Sequence, residues 1–404
     1  MRSLLGNLWT LTLTLVLAVS VPARATEADI AARLLAGLPP TEGEPATKAR
    51  GVAYQGYARE MTAAWGRYDA RTLAPLRAFV AEQLADVALP VVFYPFAGPD
   101  IVNAVTVFPK ARTYVLLGLE PVGEVPAPQR DPAAKVLGGV KRLRTSIDKL
   151  LGLNFFRTQS MKAELKQDSY TGVGALMMFF LARTGHTIES ARGVRFDASG
   201  EVTDALGKPF TGLEIVFRAP GDAPENPRRV LYFSGDLSDT AFEQRAGLRE
   251  FLRKSAPVAT LLKAASYLMY GSAFDDVRNT ILGRSGVIVQ EASGMPYRFL
   301  RNNSTWKVSL YGHYDKPIDL FATRCQPDLA RDMKSQKPGR FDFSFGYEFR
   351  AGEGHLIVAR RSPDAPLQEP VLDMSYQHGE ATRCAKDRLV LTTCVQGRCS
   401  VRFE

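Results

Sequence analysis

The sequence predicts a three-layer α/β protein on a mostly parallel sheet, with an N-terminal helical cap and a β-rich, disulfide-containing C-terminal appendage. Three observations carry this expectation. The stretch 90–123, PVVFYPFAGPDIVNAVTVFPKARTYVLLGLEPVG, holds two apolar runs, 91–96 and 113–119, around a short helical pattern at 100–107. Runs without polar alternation suit parallel strands covered on both faces. Across 90–312 at least six strand patterns alternate with helical ones, the order that places helices against a sheet. All four cysteines fall in the last fifth of the 404 residues, where the chain reads as strands.

Taken in order, residues 1–25 read as a secretory leader. Arg2 opens it, 8–21 is an apolar run, and Ala23-Arg24-Ala25 has the small–x–small form of a cleavage site near Ala25. No later run reaches the ~18 apolar residues of a membrane-spanning helix. The expected location is therefore periplasmic or extracellular. Residues 26–89 form the helical cap: a helix at 27–38 ending in Gly37 and Pro39-Pro40, then two helices over 53–86 broken near Asp69. Trp65, Tyr68, Leu73, Leu76, Phe79, Val80 and Leu84 recur at three- and four-residue spacing, the signature of one buried helical face.

The α/β region spans 90–320. After the opening unit come helices at 133–151, 161–167 and 172–184, and strands at 187–196, 213–217 and 230–233. Ser238 or Asp239 is placed to cap the helix that follows. Helices at 258–269 and 274–282 precede strands at 286–290 and 306–311. The tail, 321–404, reads as a short helix, a strand pair near 341–349 and 355–360, and a cysteine hairpin.

The composition, 46% hydrophobic and 23% charged, is that of a globular chain. The net charge of +9 is spread over a long sequence, and loss of Arg2 and Arg24 leaves +7. This fits a solvated basic surface, and no nucleic-acid partner is expected. In an oxidising compartment Cys394 and Cys399 face each other across a hairpin, which leaves Cys325 with Cys384. CxxC spacing is missing, and His186, His313, His355 and His378 are scattered, so no metal site is expected.

Open α/β sheets bind ligands beyond the carboxyl ends of their strands. Asp100, Glu120, Asp236, Asp239 and Glu291 all fall just past predicted strand ends, with Gly98 at the first turn. Glu120 lies 22 residues after Gly98, near the spacing of a ribose-binding acid. The loop Phe96-Ala97-Gly98-Pro99-Asp100 departs from a phosphate cradle. It has one glycine, Pro99 lacks an amide donor, and Asp100 suits a helix N-cap better than a phosphate contact. The crevice above Gly98 is therefore expected to be filled by the protein's own side chains, with no cofactor. Arg298, in Met295-Pro296-Tyr297-Arg298, and His313, after a strand end, complete the candidate crevice.

YPFAGPD followed by FPKARTYVLLGLEPVG resembles the Rossmann-like sheet start of class I methyltransferases in a degenerate form. With the later segment SGMPYR it more closely resembles an uncharacterised family of exported bacterial proteins, over most of 50–360. The resemblance implies a Rossmann-like fold and export but no activity. Two functional expectations follow. One is a non-catalytic binding or scaffold protein of the envelope, whose partner is a small molecule or envelope component. The other is an envelope enzyme with Asp236 and Glu291 as general acid and base, which requires them to converge with His313.

Overall fold

The computed structural model describes residues 25–39, 51–153, 170, 172–207, 211–301, 304–348, 352–367, 383–385, 388–395 and 398–403. The chain is an α/β protein with a ten-stranded mixed sheet. Five strands form its parallel centre: β1 (Val91–Tyr94), β2 (Thr113–Gly118), β6 (Arg228–Ser234), β7 (Val258–Leu262) and β8 (Ser285–Gln290). Their spatial order is β6-β2-β1-β7-β8. On one side β5 (Gly212–Arg218), β3 (Thr187–Phe196) and β4 (Val202–Asp204) continue the sheet antiparallel. On the other, β10 (His355–Arg361) inserts between β8 and β9 (Trp306–Gly312), antiparallel to both.

The sheet is thus less parallel than its apolar runs predict, for a reason of chain length. Residues 219–227 join β5 to β6 without a helix, so the chain folds straight back, whereas a parallel crossover needs a dozen or more residues. The burial of β3 alternates, as befits a wing with one wetter face. The central strands β1, β2 and β7 are buried throughout.

Apolar residues of the central strands alternate between two cores. Val92, Tyr94, Tyr114, Leu116 and Tyr232 face one, and Phe93, Val115, Leu117 and Leu231 face the other. The first core lies beneath the helical cap: α1 (Glu27–Ala36), α2 (Val52–Tyr68), α3 (Ala74–Gln83), α4 (Ile101–Val107), α5 (Ala133–Leu153) and α6 (Val173–Arg183). Ten consecutive α6 residues, Val173 to Ala182, are buried, and Trp65 of α2 meets the Phe179 ring edge-on at 6.0 Å. Each large apolar side chain so buried contributes roughly 1.5–3 kcal/mol. The second core takes α7 (Asp239–Glu243), α8 (Ala246–Ser255), α9 (Asp275–Arg284) and α10 (Pro327–Ser335).

Several expectations need correction. The break near Asp69 is a π-helical turn, Asp69–Leu73, which carries α2 into α3 without interruption. Residues 258–262, expected as a helix, are β7. Their five side chains are buried on both faces of the sheet, where an apolar run leaves no periodicity to separate strand from helix. Among the described residues around 341–348 there is no strand, only isolated bridges of Gly339 with Tyr311 and of Phe345 with Glu348. The expected helix at 161–167 lies outside the described residues. In the tail, β11 (Arg383–Ala385), β12 (Arg388–Val395) and β13 (Arg398–Phe403) form an antiparallel sheet that sets Cys394 opposite Cys399. Among the described residues none is a free cysteine, and the side chains of Cys384, Cys394 and Cys399 lie outside that set. No helix among the described residues is long and apolar enough to cross a membrane.

Candidate functional site

The chain reverses direction across the sheet between β1 and β7: β2 and β6 lie to one side, β8 to the other. In such sheets this switch point, at the carboxyl ends of the strands, is where ligands are bound. Here it is closed by an ion pair. Lys263, the first residue after β7, places Nζ 2.7 Å from Oδ2 of Asp100, and the two side chains are 1% and 2% exposed. Tyr94, the last residue of β1, donates its hydroxyl to the same oxygen at 2.8 Å. Asn103 Nδ2 donates to Asp100 Oδ1 at 2.7 Å. Burial, and next the Asp100 charge, hold the Tyr94 phenol far above its ordinary range.

Asp100 stands at the N-cap position of α4, yet its side chain makes no capping bond. The N-cap expectation fails because Lys263, Tyr94 and Asn103 claim both carboxylate oxygens, and a buried cation outweighs an amide as a partner.

Glu120 closes the neighbouring space. It is 1% exposed, and its Oε2 would lie 3.4 Å from a Cβ placed on Gly98. A Cβ on Gly118 would meet the same oxygen at 2.5 Å and the Gly98 Cα at 2.8 Å. These two glycines therefore let β1, β2 and Glu120 close onto one another, and Gly98 also uses φ +54°. Tyr232 donates its hydroxyl to the Glu120 carbonyl at 2.9 Å, with the carboxylate at 3.4 Å. Oε1 of Glu120 has no hydrogen-bond partner. Among the described residues no backbone donor reaches the Asp100 or Glu120 carboxylate, but both are sealed from solvent.

The loops flanking the switch point carry four non-glycine residues in the left-handed region: Phe96 (φ 60°), Ala264 (52°), Ser266 (55°) and Tyr267 (55°). Each such residue costs on the order of 1–3 kcal/mol and persists only where its surroundings fix it. For 264–267 the fixing group is Glu291. Its Oε1 accepts from the Ala264 amide at 2.9 Å and from the Ser293 hydroxyl, and Oε2 accepts from the Ser293 amide at 2.8 Å. Ser293 in turn accepts from Ala265 N at 2.9 Å and Tyr267 N at 3.0 Å. Burial raises the Glu291 carboxyl above its usual range despite these donors.

The remaining candidates lie apart from this cluster and take local partners. Asp236 accepts from the Ser238 amide (2.9 Å) and hydroxyl (2.8 Å), and these bonds, the amide first, lower its pKa. Asp239 accepts from Asp276 N at 2.9 Å. Arg298 is exposed, over the Phe299 ring at 5.2 Å, while its neighbour Tyr297 is buried and donates to Asp332 at 2.8 Å. His313 lies at the surface, 2.7 Å from Asp315. Asp236, Glu291 and His313 make no hydrogen bond to one another. Among the described residues no group of three or more His, Cys, Asp or Glu side chains is placed to hold a metal.

Sequence reading missed Lys263 and His355. Lys263 was hidden inside the expected helix, although a lone lysine directly after the apolar run Val258–Leu262 repeats the pattern of apolar strand followed by a charged residue. His355 accepts from Ala292 N at 2.8 Å, and burial pushes its pKa down to about 3, so the ring is neutral.

The opposite, amino ends of β1, β2 and β6 border an open groove of about 910 Å³. Trp65, Val80, Leu84, Val87, Val105 and Pro220 supply apolar walls. Arg77, Lys110, Arg183 and Arg228 add four cations, against Asp69 alone as an acid. His186 also lines it. Burial, and then the charge of Arg228, push its pKa down to about 4. No family model, curated protein or solved structure matches the chain.

Proposed function

We propose that this is an exported, non-catalytic binding protein that uses a Rossmann-like sheet as a scaffold. The carrying observation is the buried Asp100–Lys263 pair at the switch point, where a cofactor would need open space. The Rossmann-like assignment draws support from the central order β6-β2-β1-β7-β8. Read in chain sequence, this is the 3-2-1-4-5 order of doubly wound sheets. The alternative, an enzyme using Asp236 and Glu291, lacks the convergence on His313 that it requires, and the Glu291 oxygens are engaged in fixing a loop.

Export is supported by Thr26, one residue after the expected cleavage site. Its Oγ1 accepts from Asp29 N at 3.0 Å to cap α1 and donates to the Ile188 carbonyl at 2.6 Å. The pairing Cys394–Cys399 is supported by the β12–β13 register, and it leaves Cys325 for Cys384; peptide mapping without reductant tests both.

Calorimetric titration with adenosylmethionine and NAD tests the binding-protein reading. No heat is expected at micromolar ligand. Micromolar binding that Gly98→Val abolishes would overturn the proposal.

A further inference from the structure

The turn that follows α6 holds an imidazole in one defined form. Thr184 Oγ1 lies 2.8 Å from the Phe180 carbonyl, 3.0 Å from that of Leu181 and 2.8 Å from Nδ1 of His186. The hydroxyl has one proton, and a carbonyl can only accept. Were that proton given to Nδ1, Oγ1 would face two carbonyl oxygens with nothing between them. The arrangement that satisfies every partner has Thr184 donating back to the helix and Nδ1–H donating to Oγ1. Nε2 therefore carries the lone pair. Gly185, at φ +83°, turns the chain so that the His186 amide donates to the Leu181 carbonyl at 2.9 Å. The Phe217 ring of β5 meets the imidazole edge-on at 5.1 Å. Ring position and tautomer are both fixed.

Nε2 takes no hydrogen bond among the described residues and is not sealed from solvent. Thr184, Gly185 and His186 line the open groove, together with Pro220 and Arg228. The other described histidines differ. His355 commits Nε2 to the Ala292 amide inside the core, and His313 shares Nε2 with Asp315. We propose that Nε2 of His186 is a nucleophilic site, open through the groove to small activated acyl compounds such as anhydrides and active esters. The lone pair attacks the acyl carbon, and the bond to the leaving oxygen breaks with its electron pair. The proton on Nδ1 then passes to solvent, which leaves a neutral acyl imidazole whose Nδ1 accepts from the Thr184 hydroxyl. This goes beyond the binding-protein reading and does not rest on it.

The surroundings keep this lone pair free in weak acid. The charged groups that face the ring are Arg228 of β6 and Asp222 of the loop before it, while α6 and β5 bring only Thr184 and Phe217. Arg228 holds Asp222 in a two-pronged pair at 2.6 and 2.8 Å, which lowers that carboxyl to about 2. Neither charge changes between weakly acidic and neutral pH. Burial, and then Arg228, hold the imidazole down at about 4, so it stays neutral over the same range. A histidine of ordinary pKa, ~6.5, loses its lone pair to a proton there.

The experiment treats the full chain with diethyl pyrocarbonate, an acyl anhydride, at pH 5.5 and 7.5. Peptide mass mapping gives the rate at each histidine, with N-acetylhistidine as the standard. The standard should react about tenfold more slowly at the lower pH. The rate at His186 is expected to change less than twofold. His355, equally neutral but with Nε2 committed, should stay unmodified. Proton–nitrogen correlation spectra of the histidine rings should show His186 protonated at Nδ1. Thr184→Val should give a mixture of tautomers, and Thr184→Ser should restore the single form. The proposal is overturned by an unmodified His186, by a tenfold fall in its rate alongside the standard, or by modification of His355 at the same rate. A ring protonated at Nε2, or a tautomer unchanged in Thr184→Val, would overturn it equally.

Discussion

The two ends of the same parallel strands differ in how their charges are matched. At the carboxyl ends of β1 and β7, Asp100 and Lys263 satisfy each other in a dry interior, with Tyr94 and Asn103 occupying the remaining valences. At the amino ends, Arg77, Lys110, Arg183 and Arg228 border an open groove with Asp69 as its acid. The fold's customary binding position is therefore a sealed end, whose acid and cation are matched although Oε1 of Glu120 goes without a partner, and the opposite end is the open one.

Breaking the closed end should produce the largest effect. Lys263→Met leaves the Asp100 carboxylate buried without its cation, and the expected loss is about 3–5 kcal/mol of unfolding free energy. Adding Asp100→Leu should recover most of it, because an apolar pair of similar volume removes the stranded charge. Urea unfolding of the single and double variants measures both. A single-variant cost below about 1 kcal/mol would mean that the switch point is not held shut by this pair.

A middle-sized effect separates the buried histidines from their surroundings. His355 and His186 have folded pKa values pushed down by burial to about 3 and about 4, against an ordinary value of 6.5. Below pH 6.5 the unfolded chain takes up these protons and the folded chain does not. Stability from these groups is thus complete above pH 6.5 and falls as pH drops toward 4. The slope approaches about 1.4 kcal/mol per pH unit for each ring. Glu291, with its raised pKa, opposes this trend. Its folded form binds a proton more readily than the unfolded chain does, so acid favours the fold at that position. Replacing His355 by Gln keeps an acceptor for Ala292 N, and the difference between the two stability profiles should isolate one proton of slope. Parallel profiles would show that His355 charges equally in both states.

The smallest effect sharpens the contrast directly. Arg77–Asp69, on the groove rim, has side chains 51% and 36% exposed. Arg77→Met should therefore cost under about 1 kcal/mol, and less in high salt. The same chemistry of paired charge is thus expected to differ severalfold in worth between the two ends, by burial alone. A cost equal to that of Lys263→Met would erase the distinction.

Much of the fold was legible where a pattern has one structural solution. The helix at Val173–Arg183 and the strands at 91–94 and 113–118 came from uninterrupted apolar runs of different lengths. Strand direction was not legible, since a parallel and an antiparallel strand differ in connection and not in composition. Val258–Leu262 was misread because burial on both faces erases periodicity, and this hid Lys263. At the candidate site Glu120 does close onto Gly98, two residues from Asp100, but the partners that hold the two acids are spread along the chain: Tyr94 of β1 and Lys263 just after β7 on Asp100, and Tyr232 of β6 on Glu120. Arg183 closed a helix whose apolar length drew attention away from its terminal charge.

The insertion of β10 between β8 and β9 bears on how this chain can reach its fold. Among the strands of the sheet β9 pairs with β10, and beyond it with a single bridge from Tyr311 to Gly339, so most of residues 306–312 have no ladder to join until 355–361 arrive. A chain emerging amino end first must hold that strand in waiting, its outer face shielded by little more than local structure. Completion of the sheet is thereby deferred until nearly nine-tenths of the sequence is present, so its last edge closes only once almost the whole chain is available.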